Sequence, residues 1–233
     1  MNEVILKEIN SKKDNIRINI LSRFFKTGKG EYGEGDIFFG LTVPSCRKIA
    51  KKYENISLKE IEYLLSNKVH EVRLIALFIL TFQYKKSSEK DRKVIIDFYL
   101  KNTKYVNNWD LVDSSAYKLL GDYLLNKKDK NILIKLARSK NLWEQRISVI
   151  ATFAFIKNGD SKWTLKIAKM LIHHEHDLIH KATGWMLREV GKRVSVKDLC
   201  EFLELNIKKM PRTMLRYSIE KFPKEIKLEY LKK

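Results

Sequence analysis

The chain has 233 residues, 44% of them hydrophobic and 32% charged, a balance that excludes a disordered chain and leaves room for a substantial core. Lysine and arginine outnumber aspartate and glutamate by 47 to 28, for a formal charge of +19, which points to a polyanionic partner, nucleic acid or an anionic membrane. The longest apolar run, "LIALFIL" at 74–80, has seven residues against the roughly 20 that a spanning helix needs, which excludes a membrane span.

Residues 2–27 read as one helix with Val4, Ile5, Ile9, Ile16, Ile20, Leu21 and Phe24 on an apolar face. The segment lacks the apolar core of a signal peptide and carries Glu3 and Glu8. Four of the nine glycines then crowd into residues 28–35. Gly28, Gly30 and Gly33 match GxGxxG, but a dinucleotide site needs a strand before the loop and a helix opening at its last glycine. Here a helix precedes it and Asp36, Ile37 and Phe38 follow, so residues 28–36 read as a mobile loop. Pro44 starts a helix that runs to about Tyr53, proline being tolerated in a first turn. Ser57 with Glu60 forms a capping box, and "SSEKD" before residue 91 gives a further helix start. No period-two run bounded by turn residues argues for a sheet. Cys46 and Cys200 stand apart, with neither CxxC nor zinc spacing, which suits a reduced, cytoplasmic setting.

The segments "HEVRLIALFIL", "WDLVDSSAYKLL", "LWEQRISVIATF", "LIHKATGWMLRE" and "KMPRTMLRYSIE" align by their apolar pattern. Arg73, Arg146, Lys181 and Arg212 fall in one column, and in the second segment that column holds Asp113. The intervals of 40, 33, 35 and 31 residues suit a two-helix repeat. The expected architecture is therefore an all-α, HEAT-like helical-repeat solenoid. It forms a single domain over residues 1–233, with N-terminal helices to 55 and helical repeats over 56–233. The second helix of each pair would line a concave basic groove.

Trp109 precedes Asp113 by one helical turn, and Trp185 follows Lys181 by one, so both indoles share a helix face with the column. Trp163 reads as core, while Trp143, three residues before Arg146, fits either role. An indole face attracts positive charge by roughly 0.5–2 kcal/mol. For Asp113, a structural ion pair with a column cation such as Arg146 competes evenly with a functional role on placement alone. His176 and His180 have ligand spacing in "HHEHDLIH", but structural zinc wants further Cys or His ligands. A polar turn between helices accounts for the cluster, and no metal or organic cofactor is expected.

The segments "NNWDLVD", "NLWEQR" and "HKATGWMLRE", in this order and spacing, resemble the AlkD-type DNA alkylation repair glycosylases. The stretch "RFFKTGKGEYGEGDIFFGLTVPSCRKIAKKY" is similar to the glycine-loop branch of that family. The resemblance implies a HEAT-like solenoid that wraps double-stranded DNA and removes cationic alkylated purines, typically 7-methylguanine and 3-methyladenine, without flipping the base. It implies that Asp113 is the catalytic carboxylate, that Trp109 and Trp185 line the lesion sugar, and that Arg146 grips the backbone. Arg188 of the last signature joins Arg73, Lys181 and Arg212 as a DNA-binding residue. The chain departs from the family pattern at Asn108, where a second tryptophan is common, at Phe24, which lacks a hydroxyl, and at Leu178 and Ile179, where some members carry aromatics.

The chemistry matches these residues. An N3- or N7-alkylated purine is already cationic, so its glycosidic bond breaks with a neutral base leaving and positive charge developing on the sugar. A carboxylate roughly 4 Å away stabilises that charge by about 4 kcal/mol at an effective dielectric near 20, nearly a thousandfold in rate if realised only in the transition state. The same carboxylate could orient a water for attack. The expected function is a monomeric DNA glycosylase acting on duplex DNA with alkylated bases. The alternatives are a non-catalytic protein of the same fold that binds damaged or branched DNA, and a helical scaffold for acidic proteins.

Overall fold

The computed structural model describes residues 1–232, which form two compact units, 1–115 and 116–232. Among the described residues there is no strand, only an isolated bridge between Ile37 and Val69, so the expected all-α class holds. No helix is long and apolar enough to cross a membrane.

The first unit contains α1 (Asn2–Asn10), α2 (Asn15–Phe24), α3 (Val43–Lys52), α4 (Leu58–Leu65), α5 (His70–Lys86), α6 (Glu89–Lys101) and α7 (Trp109–Ser115). α5 is buried on every side from His70 to Thr81; after its charged first turn, residues 74–80 are hydrophobic all round, as expected of a buried helix. It packs against α3, α4, α6 and α7. The sequence-predicted starts are found: Thr42 caps α3 with Pro44 in its first turn, the Ser57–Glu60 capping box opens α4, and Ser88 caps α6. The helix expected over 2–27 is two helices. Asp14 ends the continuity by accepting from the amides of Ile16 and Arg17 as the N-cap of α2. The apolar face expected to be buried is also divided: Ile5 and Ile9 are fully buried, whereas Ile16, Ile20 and Phe24 are 77%, 60% and 61% exposed.

The second unit contains a π turn (Tyr117–Gly121), α8 (Asp122–Leu124), α9 (Asn131–Ala137), α10 (Leu142–Ala151), α11 (Phe153–Lys157), α12 (Lys162–Met170), α13 (Asp177–Arg193), α14 (Val196–Asn206), α15 (Arg212–Ser218) and α16 (Lys224–Lys232). α10 packs against α9, α13 against α12 and α14, and α13 touches both α10 and α15. Leu187, Leu199, Leu203, Met214 and Leu215 belong to one core cluster of this unit. α13 and α15 meet where only glycine fits: a Cβ on Gly184 would lie 2.5 Å from the Met214 carbonyl oxygen and 2.6 Å from the Tyr217 Cβ. The aligned column therefore runs along α5 and α7 in the first unit and α10, α13 and α15 in the second.

Candidate functional site

α7 carries Trp109 in its first turn and Asp113 one turn later. Both are half-buried. The Trp109 indole stacks on Phe25, with ring centroids 5.2 Å apart and planes 14° apart, and the exposed Phe24 meets its edge at 5.8 Å. Behind Asp113 lies Tyr99, whose hydroxyl is 3.0 Å from the Ser115 hydroxyl. Burial pushes the Tyr99 phenol well above its ordinary range and the charge of Asp113 adds to the effect.

Beneath Trp109 is a charged cluster of the first unit that local sequence patterns do not reveal. His70, 1% exposed at the start of α5, places Nδ1 3.0 Å from an Asp36 oxygen and Nε2 2.8 Å from an Asp110 oxygen. Arg73 donates to the other oxygen of Asp36 and to the carbonyls of Asn67 and Lys68. The fully buried Asn108 donates to Asp36 at 3.0 Å while its side-chain oxygen accepts the Trp109 amide at 2.8 Å. Burial works against charge on His70, but the carboxylate of Asp110 and its hydrogen bond, then those of Asp36, outweigh it and raise the imidazole to about 9. Burial likewise raises Asp36, yet the hydrogen bond from His70, the charges of Arg73 and His70, and the Asn108 amide hold it below the usual carboxylate range.

The glycine loop delivers Asp36 to this cluster. Glu31 and Glu34 accept from the amides of Gly28 and Gly30 at 2.9 and 2.8 Å, and the Gly33 amide donates to Lys26. A Cβ on Gly33 would lie 2.3 Å from the Phe25 carbonyl oxygen. Beyond Asp36, the buried Glu71 accepts the amides of Phe39, Gly40 and Leu41 at 2.8–3.2 Å. The loop expected to be merely mobile is thus hydrogen-bonded within itself and pinned to α5 at its exit.

The remaining sequence-derived residues lie as follows. Arg73, expected to contact DNA, is 3% exposed and engaged with Asp36. In the second unit, Arg146 is 5% exposed and donates to the Leu178 carbonyl at 2.6 Å. Lys181 pairs with Asp177 at 2.7 Å, with side chains 42% and 53% exposed. Trp185, half-buried one turn beyond, lies 6.1 Å from the Phe153 ring. Arg188 pairs with Glu220 and Glu189. Arg212 is exposed and donates to the Leu231 carbonyl at 2.7 Å. The structure therefore groups Trp109 with Asp113 in one unit and Arg146, Lys181, Trp185 and Arg188 on α10 and α13 of the other.

The histidine cluster spans the turn before α13 and the start of that helix, which contains His180. His176 is the N-cap of α13, its ring nitrogen accepting the Leu178 amide, and the ring of His174 accepts the His176 amide. Among the described residues, no group of three or more His, Cys, Asp or Glu side chains is placed to hold a metal ion. Trp163 is half-buried beneath Lys166, whose ammonium lies 4.5 Å from its ring, and Trp143 is 9% exposed.

A family model described as "DNA alkylation repair enzyme" matches residues 5–222. Among solved structures, the chain is similar to "Predicted DNA alkylation repair enzyme from Enterococcus faecalis", with a TM-score of 0.70 at 16% identity, covering 91% of this chain and 97% of that one. At that identity the likeness is one of fold. No curated protein matches the chain.

Proposed function

Because the chain belongs to the DNA alkylation repair enzyme family, we propose that it is a DNA glycosylase removing N3- and N7-alkylated purines from duplex DNA. The observation that carries this reading is the placement of Asp113 one turn after Trp109 on α7, an acid in the column otherwise occupied by Arg73, Arg146, Lys181 and Arg212. In this proposal the Asp113 carboxylate faces the deoxyribose of the lesion and stabilises the positive charge that develops there as the neutral base departs. Trp109 presents an indole backed by Phe25, whose ring face favours the same charge. Trp185 is the second aromatic of this set, and Arg146 the backbone contact, both from the resemblance.

The column cations differ in how readily they meet phosphate. Arg73 is buried against Asp36, and Arg146 is engaged with the Leu178 carbonyl. Lys181 and Arg212 are the more available: the exposed pair of Lys181 with Asp177 contributes at most about 1 kcal/mol, so phosphate can compete for that ammonium. Arg188 is tied to two carboxylates and meets phosphate only by releasing one.

The test is release of 7-methylguanine and 3-methyladenine from methylated duplex DNA, with Asp113→Asn as control. Release by the native chain and its loss in the variant support the glycosylase. Tight duplex binding with no base released from any alkylated DNA would leave the non-catalytic binding protein as the better reading.

A further inference from the structure

The buried cluster beneath Trp109 has more organisation than packing requires. His70, Asp36 and Asp110 come from α5, the glycine loop and α7, and both imidazole nitrogens are engaged at 2.8–3.0 Å. With His70 protonated, two cations (His70 and Arg73) balance two carboxylates (Asp36 and Asp110), which is how a charged cluster survives away from water. A buried ionic group of this kind adds little stability over well-packed apolar residues, and in some proteins it serves to fix one geometry.

That geometry converges on one residue. Asn108, immediately before Trp109, is held by Asp36, and Asp110, immediately after it, is held by His70. The Trp109 amide itself donates to Asn108. The ring stack adds a third restraint: Phe25 lies flat on the indole and 4.9 Å from the His70 ring, and Phe38 stacks on both Phe25 and His70 at 4.9 and 4.6 Å. The α7 backbone then carries the setting forward one turn to Asp113, beginning with the Val112 amide on the Asn108 carbonyl.

We propose that His70 is a positioning residue: clamped between Asp36 and Asp110, it sets the orientation of Trp109 and, through α7, of the Asp113 carboxylate. This rests on the reading of those two residues as the reacting side chains. The groups facing His70 are Asp36 from the loop, Asp110 from α7, and Arg73 on its own helix through Asp36. Glu71 is engaged by the loop amides, and burial, with the charges of Glu71 and Asp110, pushes the Cys46 thiol on α3 up to about 12. Below that value His70 is the cluster's one proton-exchanging cation.

The experiment compares the native chain with His70→Gln and Asp110→Asn by single-turnover release of 7-methylguanine, duplex affinity, and the indole N–H resonances of 15N-tryptophan-labelled protein. A displacement on the order of 1 Å at a reacting group costs up to about a hundredfold in rate. The expected result is a fall in the excision rate of roughly 10- to 100-fold with affinity within about threefold, and a shifted or broadened Trp109 resonance while those of Trp143, Trp163 and Trp185 stay in place. Folded variants with native excision and an unmoved Trp109 resonance overturn the proposal. If neither variant folds, the native chain decides: His70 titrates near pH 9, and the Trp109 resonance must follow it with the same midpoint. A Trp109 signal indifferent to that titration overturns the clamp. If the native chain releases no base, the glycosylase reading fails, while the resonance measurements still decide the role of His70.

Discussion

Arg73 and Asp36 form an ion pair inside the first unit, with side chains only 4% and 6% exposed. Removing Arg73 leaves the buried Asp36 with only His70 and Asn108 as partners, and breaking a buried pair of this kind costs up to about 3–5 kcal/mol. Arg73→Ala is therefore expected to lower unfolding stability by that order in urea titrations while leaving the salt dependence of duplex binding unchanged. A flattened salt slope in a folded Arg73→Ala protein would return Arg73 to the phosphate surface.

The opposite is expected of Lys181 and Arg212, whose side chains reach solvent. Phosphate contacts make binding fall steeply with salt and show little sequence preference. Each of Lys181→Ala and Arg212→Ala should flatten the log–log salt slope by roughly one unit with little effect on stability. Arg146 is as buried as Arg73 and donates to the Leu178 carbonyl, so Arg146→Ala is expected to cost about 1–3 kcal/mol in stability. Only a flattened salt slope in the folded variant would support the backbone contact that the resemblance implies.

Asp113→Asn is expected to cut excision at least about a hundredfold, since the stabilisation lost is realised only in the transition state. Duplex affinity should be equal or slightly better, because one negative group leaves a surface meant for phosphate. Single-turnover kinetics beside equilibrium binding separate the two effects. Near-native turnover by this variant would return Asp113 to a purely structural ion pair.

These expectations show where local sequence is informative. Apolar spacing located the helices that carry the column, and the Ser57–Glu60 box and Ser88 marked their starts because capping is a matter of adjacent residues. The same spacing ran two helices together across Ser11–Asp14, since nothing in the apolar pattern registers that the Asp14 side chain caps a new start. A column position says which face of a helix a residue occupies but not how far that face is from solvent, and Arg73 is the result. The His70 cluster was invisible for a different reason. Its partners are 34 and 40 residues from His70, and each looked ordinary alone: an acid ending a glycine loop, an asparagine before a tryptophan, a histidine opening a helix. His70 is the sole histidine outside the 173–180 cluster, the one signal that could have singled it out.

The cluster also makes stability depend on pH in a defined direction. The His70 value of about 9 lies above its ordinary value near 6.5, so its contribution is fully present below about pH 6.5 and lost as the pH rises through 9. The difference corresponds to a few kcal/mol at most. Asp36 is held low, so its contribution is present above the ordinary carboxylate range and lost on acidification. Urea midpoints should fall on both sides, and His70→Gln should flatten the alkaline limb. An alkaline limb of unchanged size in the folded variant would separate His70 from the pH dependence.

Lesion choice follows from the charge argument. Catalysis that rests on stabilising a cation, without protonating the leaving base, works on purines whose alkylation has already made them good leaving groups. None of the residues is proposed to act as a general acid: Asp113 acts in this reading as a carboxylate, and the Trp109 and Trp185 indoles do not donate usefully to a ring nitrogen. Hypoxanthine and uracil, which are neutral and leave only if the departing base is protonated or its anion is stabilised, should therefore persist in duplex DNA under conditions that release 7-methylguanine. Excision should also stay roughly flat from about pH 6 to 8, above the carboxylate range and below the titration of His70 near 9. Parallel assays on defined duplexes, one lesion each, measure both. Uracil release at a rate comparable to 7-methylguanine would sink the mechanism, because it would require a group acting on the departing base, a role that none of the proposed residues has.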